Sequence, residues 1–209
     1  MMKGEEIERE SMRIIEEEIG NLKDLYNEKE WSVVKRVIHT TADYDFASNN
    51  RLIFNKGVEA ALNAIKNKCN IITDTDIIYA ALNKNLLNAL GLRVICRISN
   101  DEVIIKAKSL NKTRAEIAMR ESIKEIENGI VAIGNAPTAL LELLKLIDEN
   151  VKPILVIATP VGFVNAKESK ERLMRYNIPY ITNLGRKGGS TVAAAIINAL
   201  MLLYTKDKL

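Results

Sequence analysis

One histidine, two cysteines and 5% aromatic residues are all that these 209 residues hold of three chemically informative classes. A lone histidine, His39, cannot build a histidine-rich metal site. It can act as a general acid or base, because imidazole is the side chain whose unperturbed pKa lies closest to neutrality. Cys69 and Cys96 stand far apart with no CxxC spacing. That argues against a disulfide framework and for a reducing compartment, the cytoplasm. Each reads as a small buried hydrophobe. So few aromatics leave no row of base-stacking platforms, and a net charge of +3 without a run of five basic residues gives nucleic acid no basic footprint. The longest apolar stretches, such as "TVAAAIINALMLLY" (191–204), fall short of the ~20 residues a spanning helix needs. The segment "MMKGEEIERE" is charged and has no apolar signal core. Neither nucleic acid nor membrane is an expected partner.

What is present is apolar content, 47% of the chain, enough for a sizeable core. The first sixty-odd residues carry helical spacing. "GEEIERESMRIIEEEI" ends at Gly20-Asn21, "NEKEWSVVKRVIHTTA" has Asn27 as its N-cap, and "KGVEAALNAIKNK" follows the Asn49-Asn50 turn signal. Five β-branched runs come next: 70–74, 93–98, 130–134, 153–158 and 179–184. Helical patterns at 75–90, 112–127, 136–149, 166–176 and 190–204 alternate with them. This alternation predicts one domain over 1–209, a three-layer α/β/α fold with a five-stranded parallel sheet and a helical N-terminal portion.

Ligands bind such sheets at the carboxyl ends of the strands, and the unusual residues fall there. The first run ends in Thr73-Asp74-Thr75-Asp76, the third in "GNAPTA", the fourth in "TPVGFV" and the fifth in "GRKGGS". In "GNAPTA", Gly134 permits a close approach, Asn135 can cap, and Pro137 suits a first helical turn. In "GRKGGS", Gly185, Gly188 and Gly189 expose amides, Arg186 and Lys187 add positive charge, and Ser190 opens a helix. That is an anion-binding design, although it matches neither GxxxxGK[ST] nor GxGxxG. Arg114, at the start of a helix whose dipole it opposes, suits a carboxylate or phosphate. Arg36 precedes His39 by three residues, close enough to share a helix face. Ser11 on the first helix and Thr40 beside His39 supply hydroxyls.

The segments "IERESMRIIEEE", "KRVIHTTADYDF", "IITDTDII", "NKTRAEIAMR", "AIGNAPTALLELL", "ATPVGFVNAKESKERL" and "GRKGGSTVAAAIINAL", in this order, resemble the precorrin-8 methylmutases of cobalamin biosynthesis. The resemblance implies a homodimeric isomerase that moves a methyl group from C11 to C12 of a corrin precursor, yielding cobyrinic or hydrogenobyrinic acid. It implies His39 as the catalytic proton donor and Ser11, Arg36 and Arg114 as substrate contacts. Two positions depart from the family pattern: Ala115 replaces a usual serine, and Ala42 a common glycine. The methyl shift is a [1,5]-sigmatropic rearrangement within one molecule, so no cofactor is called for. Protonation of a ring nitrogen by an imidazolium, held by neighbouring hydroxyls or carboxylates, would assist it. Arg36, Thr40, Arg114, Asn135, Arg186, Lys187 and the Gly188-Gly189 backbone are the candidates for holding the corrinoid carboxylates. Composition rich in Lys, Ile, Glu and Asn leans towards a cobalt-containing substrate. Two other readings stay open: a corrinoid-binding or carrier protein without turnover, and a nucleotide- or phosphate-dependent enzyme supported only by the glycine-rich loop.

Overall fold

The computed structural model describes residues 3–206. Its centre is a six-stranded sheet, β1 (Leu52–Asn55), β2 (Ile71–Thr73), β3 (Val94–Cys96), β4 (Ile130–Ile133), β5 (Leu155–Ala158) and β6 (Tyr180–Asn183), ordered β1-β6-β5-β4-β2-β3. The five expected strands are there and pair in parallel. A sixth was not expected. β1 adds antiparallel to β6, with Leu52 opposite Asn183 and Asn55 opposite Tyr180, so the sheet is mixed. β4, β5 and β6 are buried along their whole length, as interior strands of a sheet covered on both faces should be; β4 and β5 are continuous apolar runs, whereas β6 buries Thr182 and Asn183 as well.

The helices are α1 (Gly4–Glu18), α2 (Glu28–Thr41), α3 (Gly57–Lys66), α4 (Asp76–Ala81), α5 (Lys84–Leu90), α6 (Asp101–Ser109), α7 (Arg114–Arg120), α8 (Ile123–Ile126), α9 (Pro137–Asp148), α10 (Ala166–Leu173) and α11 (Ser190–Lys206). Residues 75–90 form two helices because Asn83 turns the chain and caps α5 through the Leu86 amide. Residues 112–127 likewise split into α7 and α8, and α6 was not anticipated. One face of the sheet packs α2, α3, α4, α5 and α11 around Ile71, Ile130, Leu155 and Ile157. The other packs α7, α9 and α10 around Ile72, Val131, Ile133 and Val156. The three-layer α/β/α class therefore holds.

α2 begins as its sequence predicts. The Asn27 side chain accepts from the Lys29 and Glu30 amides, and Glu30 reaches back to the Asn27 amide. Val33, Val34, Val37 and Ile38 are fully buried against α11, each contributing roughly 1.5–3 kcal/mol as an upper estimate. α1 is docked on α2 through Glu16, which accepts from Trp31 Nε1 at 2.8 Å and from Lys35 Nζ at 2.6 Å, and on the turn after α2 through Glu18, which accepts from the Tyr44 hydroxyl at 2.6 Å. These bonds fix Ser11 and His39 relative to each other.

Candidate functional site

His39 sits in the last turn of α2 and is half-buried. It shares a groove of about 280 Å³ with Ser11, Ile14 and Ile15 of α1, Ile38, Ala42 and Tyr44. Ser11 and His39 are thus brought together across two helices. Among the described residues, no side chain holds the imidazole. The expectation that hydroxyls or carboxylates would do so fails for local reasons. Thr40 Oγ1 donates to the Arg36 carbonyl and Thr41 Oγ1 to the Val37 carbonyl, each back along its own helix. Asp43 and Asp45 accept instead from Lys187 Nζ, at 2.7 and 2.8 Å. The ring therefore faces the groove with both nitrogens uncommitted. Ser11 Oγ donates to the Ile7 carbonyl and keeps its lone pairs as acceptors.

Arg36 does not share this groove. It lines a larger concavity, about 960 Å³, together with Arg9, Met12, Leu202 and Lys206, and pairs with Glu8 at 2.8 Å. α1 forms a wall between the two hollows, with Glu8, Arg9 and Met12 on one side and Ser11, Ile14 and Ile15 on the other. Thr40 is exposed beside His39.

The loops at the strand ends form one connected structure, and its bonds correct several expectations. Asp74, fully buried after β2, accepts from the amides of Gly134, Asn135 and Ala136 at 3.0, 2.9 and 2.7 Å. Burial pushes its carboxyl up from the usual range while the three amides oppose it. Asn135 is exposed and makes no side-chain cap; Ala136 is the N-cap residue, Pro137 is the first helical residue as anticipated, and Asp74 captures the amides from the neighbouring strand. Gly134 is required because a Cβ there would lie 2.7 Å from Ser190 Cα. Ser190 Oγ in turn lies 3.0 Å from Thr75 Oγ1.

In the glycine-rich loop, the Gly189 amide donates to the Thr159 carbonyl at 2.8 Å and is not available to an anion. Gly188, at φ 151°, passes so near that a Cβ would lie 2.2 Å from the same carbonyl oxygen. These glycines serve close packing of one loop on the next strand end. Lys187 is engaged by the two aspartates, which raise its pKa, while Lys187 lowers that of Asp45. Arg186 is exposed, with its guanidinium 5.6 Å from the ring centre of Phe163, itself 83% exposed. The Arg186 carbonyl accepts from Gly162, which joins the loops after β5 and β6.

Arg114 opens α7 behind a capping box made by Thr113 and Glu116, and is exposed without an ion pair among the described residues. The neighbouring Ala115 is buried in the core of that layer, so a serine hydroxyl at this position would point inward. Arg114 belongs to the helical layer opposite the one that carries His39. Lys170, which sequence reasoning passed over, is the largest fully buried side chain. Its signal was its register with Ala166 and Leu173 on the buried face of α10.

A mixed α/β sheet with interlocked loops at its carboxyl edge, and a single imidazole lining a groove beside them, fits the class of α/β/α small-molecule enzymes without a nucleotide-binding loop. The precorrin-8X methylmutase family model matches residues 6–203. A cobalt-precorrin-8 methylmutase of Leptospira interrogans is 45% identical, covering 97% of this chain and 95% of that protein. A precorrin-8X methylmutase of Pseudomonas aeruginosa is 37% identical, covering 94% of each. The crystal structure of a precorrin-8X methylmutase from Thermus thermophilus superposes with a TM-score of 0.90 at 38% identity, over 99% of this chain and 98% of that one. The chain belongs to the precorrin-8X methylmutase family. It is an isomerase of cobalamin biosynthesis, and no helix among the described residues is long and apolar enough to cross a membrane.

Proposed function

We propose that the chain, acting as one methylmutase domain over 1–209, moves the methyl group of cobalt-precorrin-8 from C11 to C12, with His39 as the proton donor. One observation carries this reading: the only histidine lines a groove with Ser11 and is held by no other side chain among the described residues. The methyl–C11 bond breaks as the methyl–C12 bond forms, so neither electrons nor a second substrate enter. Protonation of a nearby ring nitrogen draws π-electrons away from the migration terminus and lowers the barrier. The cobalt form of the substrate is favoured by the name carried by relatives at 45% and 44% identity. A cytoplasmic setting suits its two free thiols.

The working unit in this reading is a homodimer with shared sites. The groove of about 280 Å³ lies below the ~300–1,000 Å³ of ordinary small-ligand pockets, and a corrinoid is a large ligand. Arg114, a cation without an ion pair among the described residues, lies on the opposite layer from His39, and α1 exposes Ile7 and Ile14 at the groove's flank. A second copy laid against α1 and α2 would close the groove and bring its own Arg114 to the corrinoid carboxylates. Arg36, Arg186 and the Asn135 turn are further carboxylate contacts, whereas Lys187 acts by tying the loop to Asp43 and Asp45. The test is a single-turnover experiment with cobalt-precorrin-8 and excess protein. Conversion to the cobyrinic acid spectrum is expected. A binding spectrum that never progresses to product would assign the chain as a carrier.

A further inference from the structure

Lys170 is 1% exposed, and its hydrogen-bond partners are not carboxylates. Nζ donates to the Lys187 carbonyl at 2.8 Å and to Asn183 Oδ1 at 3.2 Å. Asn183 Nδ2 donates to the same Lys187 carbonyl at 2.9 Å and to that of Leu184 at 2.8 Å. A buried ammonium without a counter-ion is costly, and an apolar side chain of similar length would fill the space at less cost. Burial pushes the Lys170 pKa down to about 8. Two of these bonds, one from Lys170 Nζ and one from Asn183 Nδ2, converge on one peptide group, the carbonyl of Lys187. The side chain of that same residue reaches outward to Asp43 and Asp45, the first carboxylates after the helix that carries His39. Asp43 also accepts from the Asp45 amide and so shapes the turn over Tyr44–Ala47, from which Tyr44 lines the groove.

We infer that Lys170 is a positioning residue for the methyl shift: by gripping the Lys187 carbonyl it fixes the 184–189 loop and, through the Lys187 ammonium, the Asp43–Ala47 segment that borders the His39 groove. The inference rests on the reading of that groove as the reaction site. It requires no contact between Lys170 and substrate.

Lys170→Met keeps the length and removes the ammonium. Turnover of cobalt-precorrin-8 is expected to fall about 10- to 100-fold in kcat, the scale of a misplacement near 1 Å, with KM within about threefold of the parent because the exposed arginines remain. Lys187→Met is expected to lose kcat in the same way, and the double variant to be no slower than the worse single one, since both cut one chain of contacts. A folded Lys170→Met variant with parental kcat overturns the inference, as does a double variant whose losses multiply. If Lys170→Met does not fold, Lys187→Met alone decides: parental kcat there overturns the inference, and a kcat loss at constant KM supports it. Failure of the parent itself to turn over the substrate would instead overturn the proposed reaction, so the two failures are separable.

Discussion

Ser11 on α1 and His39 in the last turn of α2 face one groove from two helices, 28 residues apart in sequence and joined through the bonds that Glu16 accepts from Trp31 and Lys35. Among the described residues, no side chain hydrogen-bonds either imidazole nitrogen. A catalytic acid left free by its own protein can be engaged by a substrate, and substitution should then separate chemistry from binding.

His39→Asn keeps a hydrogen-bond donor of similar reach but cannot deliver a proton at neutral pH. Turnover should fall about 10²–10⁴-fold, the scale of one general acid, while the product's dissociation constant stays within a few-fold of the parent's. Near-parental turnover of the Asn variant would mean that His39 orients the ring and does not protonate it.

Ala42 closes α2 in the left-handed conformation, φ 51°, and donates its amide to the Ile38 carbonyl. A Cβ in that region costs about 1–2 kcal/mol, of which glycine's greater freedom in the unfolded chain returns about 0.4–1. Ala42→Gly should therefore raise the unfolding free energy by roughly 0.5–1 kcal/mol, read as a higher urea midpoint at unchanged m. An unchanged or lower midpoint would show that the helix end is not strained. The resemblance already marked this position as one where glycine is common; the backbone supplies the reason.

The layers of the fold were legible because four of the five expected strands, β2, β4, β5 and β6, are buried throughout and read as short runs with β-branched residues, and because Asn27 and Pro137 start helices by rules local to a few residues. β1 was missed because four residues, "LIFN", carry too little pattern, and only β6 across the sheet makes them a strand. α6 was missed because "DEVIIKAKS" places Ile105 in solvent and only Val103 and Ala107 in the core. The site was legible as a set of residue types but not as a set of bonds. "GRKGGS" has the composition of an anion loop, yet the partners of Gly189 and Lys187 stand 30 and more than 140 residues away. Long-range closures of that kind leave no trace in local spacing.

The buried Lys170 makes stability depend on pH in a definite direction. Its folded pKa of about 8 lies below the usual lysine value of 10.5. Between those values the unfolded chain binds more protons than the folded one, so stability rises with pH. Below pH 8 the ammonium is buried charged and its cost is complete; above 10.5 both states are neutral and the cost is gone. The stability of the parent minus that of Lys170→Met should rise by up to about 3 kcal/mol from pH 7.5 to 10.5. Urea unfolding of both proteins across that range measures it, and groups common to the two cancel. A flat difference would place the Lys170 pKa at its ordinary value.

A shared site predicts complementation. In the proposed reading His39→Asn would remove the proton donor from one chain, and Arg114→Ala would remove a carboxylate contact worth about 1.5–3 kcal/mol, or roughly 10- to 150-fold in affinity. Each variant alone should be nearly inactive at low substrate. In a two-fold dimer whose site joins His39 of one chain to Arg114 of the other, a mixed dimer gathers both lesions into one site and leaves its second site intact. Random pairing makes half the dimers mixed, so coexpressed chains should recover about a quarter of parental activity. The layered fold sharpens the outcome, because His39 and Arg114 sit on opposite faces of one sheet. If each site were built within a single chain, every site in every mixed dimer would carry one lesion, and the mixture would be no more active than the average of the two variants. That result, obtained with a tag pull-down proving that mixed dimers had formed, would confine the reaction to one subunit.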